Sequence, residues 1–68
     1  MKSMTPAQFT EWRQRLGLKR TGPNGASEAL GVSKNMPAKY ESGEAEIPRY
    51  IALACSALAM GCKPYGEL

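Results

Sequence analysis

Apolar side chains recur at helical spacing in four stretches of the chain, each bounded by residues that start or stop helices. In the first, Phe9, Trp12 and Leu16 stand at i, i+3 and i+7 and make one stripe. Before them, Thr5 suits a cap, Pro6 suits a first helical position, and Gln8 completes a capping box. Met4 and Phe9 stand where a hydrophobic staple closes. Gly17 ends this helix, and Trp12 reads as core rather than as a stacking platform.

The next segment is weaker. Thr21-Gly22-Pro23-Asn24-Gly25 carries turn chemistry throughout, and Pro23 suits only a first turn. The pattern predicts a short second helix from Pro23 to Leu30, followed by a Gly-Val-Ser corner. A third helix is predicted over Lys34 to Ser42, capped by Ser33 and stopped by Gly43. Pro37 would remove one of its first internal hydrogen bonds and distort that turn. Two short helices joined by a glycine-containing corner make a helix-turn-helix, here about residues 23–42.

The fourth helix is predicted from Pro48 to Met60, and it is apolar on most sides. Ile51, Ala54, Cys55, Leu58 and Cys62 form one stripe; Leu53, Ala57 and Met60 form another. One stripe can pack on the preceding helices. The other would face water unless a second copy covers it, so Leu53, Ala57, Leu58 and Met60 are expected at a homodimer interface. The competing expectation is that the turn-like tail Lys63-Pro64-Tyr65-Gly66, or a fifth short helix, folds back over it.

Length and composition narrow the classes. Sixty-eight residues make one domain. A core of that size supplies only roughly 3–5 kcal/mol, which makes a partner subunit a natural support. Cys55 and Cys62 are seven apart, which on a helix means about 10 Å along the axis, too far for a disulfide. Two thiols without histidine are too few for structural zinc, and both cysteines read as small buried side chains. No apolar run approaches the ~20 residues of a membrane span, and Met1-Lys2-Ser3 leads into no signal-peptide core. A cytoplasmic location is expected, with no membrane partner. The net charge of +3 is compatible with a nucleic-acid partner. The chain has neither histidine nor aspartate, no nucleophile beside a base and no phosphate-binding glycine motif, so no enzyme, cofactor, metal or small-molecule ligand is expected.

WRQRLGL, ASEALGVSKNMPAKYESG and IPRYIALACSAL together resemble the Cro/C1-type (XRE-family) helix-turn-helix repressors over roughly Thr5 to Met60. The resemblance implies an all-α, lambda-repressor-like bundle of four or five helices that binds double-stranded DNA as a dimer. It implies base contacts from Lys34, Asn35, Met36 and Lys39. Chemically, asparagine suits adenine, lysine suits guanine, and the methionine offers an apolar contact to a thymine methyl. It places Ser33, Ser42 and the Gly43 backbone near phosphates, Arg49 near the minor groove, Arg13 and Glu41 in a structural ion pair, and Tyr40 in the core.

Departures from the family pattern are equally specific. Pro23 stands where a phosphate-binding polar residue is usual, Pro37 where an aliphatic core residue is usual, and Glu44 and Glu46 where the loop is often basic. The Lys19–Gly25 loop is longer than the family spacing, and Lys19, Arg20, Thr21 and Asn24 are candidates to replace the missing backbone contacts. The expected function is a dimeric repressor of a palindromic operator. With no room for a sensing domain, it would autoregulate a phage or mobile-element operon, as regulators accompanying anti-CRISPR genes do. The competing expectation is an antitoxin-like or protein-binding helix-turn-helix module, which Pro23, Glu44 and Glu46 favour.

Overall fold

The capping box at Thr5 forms as its residue types require. In a computed structural model describing residues 4–67, the Thr5 hydroxyl accepts the Gln8 N–H at 3.1 Å, and the Gln8 side chain accepts the Thr5 N–H at 2.9 Å. Helix α1 then runs Pro6–Arg15. Met1–Ser3, which open into no signal-peptide core in the sequence, lie outside the described residues, as does Leu68. The other helices are α2 Ala26–Leu30, α3 Met36–Ser42 and α4 Arg49–Ala59. Among the described residues there is no strand, only an isolated bridge between Lys19 and Gly25. The protein is all-α.

Four boundaries differ from the sequence pattern, and the two larger shifts, at the starts of α2 and α3, have local reasons. Helix α2 begins at Ala26 rather than Pro23, because the preceding residues close a loop on themselves. There Lys19 N–H donates to the Asn24 carbonyl at 3.1 Å, Gly25 N–H to Gly22 at 2.9 Å, and Ala26 N–H to Lys19 at 2.7 Å. Helix α3 begins at Met36 rather than Lys34. Ser33 opens a turn instead, its hydroxyl accepting the Asn35 N–H at 3.4 Å and its carbonyl the Met36 N–H at 3.1 Å. The later start puts Pro37 in the first turn, where its missing N–H breaks no bond, and its ring is fully buried rather than distorting the helix. Helix α4 starts at Arg49, with Pro48 as the N-cap, and ends at Ala59.

Between α2 and α3, Gly31 adopts φ +71°, a left-handed conformation that L side chains resist. Its N–H reaches the Glu28 carbonyl at 3.2 Å and Val32 N–H reaches Ser27 at 3.0 Å, a Schellman stop. Val32 then tucks against the core.

The core consists of Phe9, Trp12, Ala26, Tyr40, Ile47, Ile51 and Cys55. Phe9 stands between Trp12 and Tyr40, with ring centroids at 5.3 and 5.4 Å and tilted planes. Burying each large side chain contributes about 2 kcal/mol, so these rings carry much of so small a core. The Trp12 Nε1–H donates to the Cys55 carbonyl at 2.8 Å and ties α1 to α4. Helix α3 packs on α1, and α2 packs on α3 and α4. Two predicted core residues lie outside it. Leu16 caps the end of α1 and is 36% exposed, its inward place taken by Leu18. Cys62 lies beyond the end of α4 and is exposed.

Candidate nucleic-acid interface

Helix α3 has one inward and one outward side. Pro37 and Tyr40 point into the core, and Met36 is half-buried against it. Lys34, Asn35, Ala38, Lys39 and Ser42 are exposed. From the N-cap onward, Asn35, Lys39 and Ser42 are spaced i, i+4 and i+7 on one face, with Ala38 beside them, and Lys34 stands in the turn just before. Met36 is thus drawn inward from the reading face suggested for it. Lys39 Nζ lies 3.9 Å from Glu44 Oε2 with both side chains exposed, a pairing worth little in water. The Ser42 hydroxyl donates to the Lys39 carbonyl and accepts the Glu44 N–H, both at 3.2 Å, so it serves the end of the helix first.

The Lys19–Gly25 loop borders the end of α3. Lys19, Arg20, Thr21 and Asn24 are all exposed, and Asn24 sits at φ 63°. Gly25 is buried at the base of the loop, where an added Cβ would stand 2.5 Å from the Thr21 carbonyl carbon. Lys19 and Arg20 are therefore presented by a closed loop. Arg49, at the first position of α4, is exposed as well.

Arg13 and Glu41 meet between α1 and α3. Arg13 Nε donates to Glu41 Oε2 at 2.7 Å and Nη2 to Oε1 at 3.4 Å, while Nη1 holds the Leu18 carbonyl at 3.0 Å. Their side chains are 14% and 8% exposed. Sequence reasoning missed a second cation: Arg20 Nε donates to Glu41 Oε1 at 3.2 Å. Burial pushes the Glu41 carboxyl up, but the hydrogen bond and charge of Arg13, then hydrogen bonding from the Thr10 side chain and last the charge of Arg20, outweigh this and hold it below its usual value.

Helix α4 buries Ile51 and Cys55 and leaves Tyr50, Leu53 and Met60 70%, 59% and 80% exposed. Ala57 is half-buried, and Leu58 packs against the core with the first stripe, so it is drawn away from the dimer face expected for it. Tyr50 joins that face instead: Tyr50, Leu53, Ala57 and Met60 follow i, i+3, i+7 and i+10, a spacing already visible in the sequence. The tail turns back beside α4, where Pro64 and Tyr65 border an open apolar groove with Ala29, Leu30, Ala54 and Leu58. It does not cover Tyr50, Leu53 or Met60.

No helix among the described residues is long and apolar enough to cross a membrane. Comparison with protein families, curated proteins and solved structures returns no match for the chain.

Proposed function

We propose that the chain is a sequence-specific DNA-binding repressor whose α2–corner–α3 unit is a helix-turn-helix with α3 as the reading helix. The observation that carries this is the exposure of Lys34 in the turn before α3, of Asn35 at its N-cap and of Lys39 on its outer side, while Pro37 and Tyr40 anchor the inner side. A short helix fixed from behind, with amide and ammonium groups in front, suits the donor and acceptor pattern of the major groove. The basic loop residues Lys19 and Arg20 and the net charge of +3 support phosphate contacts beside it. The exposed Tyr50, Leu53 and Met60 support a homodimer through α4. Two reading helices would then meet successive major grooves about 34 Å apart. Repression would follow from occlusion of polymerase, with autoregulation of a phage or mobile-element operon as the setting.

Selection from a random duplex pool, followed by binding of the winners across a salt series, tests the reading. The expected winners are inverted repeats, bound more weakly as salt rises. Lys34→Ala and Asn35→Ala should each lower discrimination between matched and mismatched sites by roughly 1–3 kcal/mol. Failure to retain any duplex at low salt, or selected sites without two-fold symmetry, refutes it. The α4 stripe also favours a second reading, a protein-binding module with the same architecture, which duplex-independent capture of one protein partner through α4 would support.

A further inference from the structure

The Arg13–Glu41–Arg20 junction holds more cation than its carboxylate requires. Arg13 already meets both Glu41 oxygens and is itself nearly buried. Arg20 reaches the same carboxylate through Nε alone, and its side chain stays 55% exposed. Among the described residues, its two Nη nitrogens make no hydrogen bond. Two guanidiniums on one carboxylate leave a surplus positive charge, and it resides on the exposed partner. The Arg20 main chain is fixed too: its carbonyl accepts the Ser27 N–H of α2 at 3.1 Å. One residue is thus held by α2 through its backbone and by α3 through its side chain. Bonding at Nε restrains the guanidinium of a half-exposed side chain and leaves its two Nη nitrogens for another partner.

That edge matches the oxygens of a phosphodiester, which a planar guanidinium grips with paired N–H groups. We propose that Glu41 is a positioning residue for Arg20, holding its Nη edge ready for a backbone phosphate. The proposal rests on the DNA-binding reading above. It assigns Glu41 a task beyond joining α1 to α3, and it makes the Lys19–Gly25 loop a phosphate clamp rather than a spacer. Preorganisation matters because a free arginine must surrender its rotamer freedom on binding, and a clasped one has already done so.

Charge and orientation make opposite predictions, which allows a decisive test. Binding of a dye-labelled duplex selected as above would be measured by anisotropy over a salt series, with folding of each variant checked by circular dichroism. Arg20→Lys retains the charge at an exposed position and should fold. Orientation predicts roughly fivefold weaker binding at an unchanged salt slope, because an ammonium cannot present a planar fork. Glu41→Gln removes a negative charge, which on charge alone tightens binding to a polyanion; orientation predicts weaker binding, and no weakening when Arg20 is already alanine. Should Glu41→Gln fail to fold, Glu41→Asp takes its place: it keeps the charge but draws the carboxylate back from Arg20, so orientation predicts weaker binding, and no weakening when Arg20 is already alanine; unchanged binding in a folded Glu41→Asp overturns the proposal. Wild-type affinity in Arg20→Lys, or tighter binding in a folded Glu41→Gln, overturns the proposal and leaves the DNA-binding reading standing. Absence of salt-dependent binding by the unaltered chain overturns both.

Discussion

Gly25→Ala should be the most damaging methyl addition in the Lys19–Gly25 loop. Gly25 has φ −97° and ψ 158°, which alanine adopts without strain. The difficulty is space: a Cβ there stands 2.5 Å from Thr21 C, 2.7 Å from Thr21 O and 2.8 Å from Gly22 O. All three neighbours are backbone atoms, so no rotamer change relieves the clash. Forcing atoms into a filled site costs about 1–3 kcal/mol. Opening the loop instead loses the Lys19–Asn24, Gly25–Gly22 and Ala26–Lys19 hydrogen bonds, at about 1 kcal/mol each. The first route costs about 1–3 kcal/mol and the second about 3 kcal/mol, so a loss near 2–3 kcal/mol is expected, a large share of the roughly 3–5 kcal/mol such a core supplies. The midpoint of thermal unfolding, followed by far-ultraviolet circular dichroism, should fall by about 10–20 °C. Gly31→Ala is the matched control. It has no neighbour within 4 Å but sits at φ +71°, so it should lose only about 1–2 kcal/mol from left-handed strain. A Gly25→Ala protein within about 0.5 kcal/mol of wild type, or more stable than Gly31→Ala, would show that the loop is not the closed unit described.

Other substitutions probe the remaining contacts. Trp12→Phe removes the donor to the Cys55 carbonyl and should lower stability in urea by about 1–2 kcal/mol; an unchanged midpoint would mean that the bond contributes nothing. The folded Glu41 pKa lies below its ordinary 4.5, so its contribution is present above that value and lost as pH falls through the folded pKa. Wild-type stability should therefore drop below about pH 4.5, and a folded Glu41→Gln protein should lack that part of the drop; identical acid profiles would contradict the clasp. Exposed Cys62 should react promptly with a thiol reagent, whereas Cys55, 2% exposed and pushed up by burial to about 11, should react only on unfolding. Equal rates for the two thiols would count against the packing of α4.

Legibility in the sequence tracked how local each signal was. The α1 start was readable because Thr5, Pro6 and Gln8 each act within one turn. The starts of α2 and α3 were not, since Pro23-Asn24 and Lys34-Asn35 suit a first helical turn and a tight loop equally, and pairings beyond the segment decide. The pattern places Leu16 and Cys62 inside because helical spacing continues past the residue where each helix stops. Among the candidate site residues, the outward positions Asn35 and Lys39 follow from Pro37 and Tyr40 facing inward. The Arg13–Glu41 pair was expected only through a family resemblance. The Arg20 contact had no signal at all, because 21 residues separate it from Glu41 and the loop fold brings them together.

Trp12 is the only tryptophan in the chain, and its indole donates to a carbonyl 43 residues away. Fluorescence from an excited indole shifts with the polarity and hydrogen bonding around it. The protein thus carries an intrinsic optical reporter at the junction of its first and last helices. That signal reaches its native value only when residues 12 and 55 have met, so a kinetic trace recorded on it times closure of the whole chain rather than formation of any one helix.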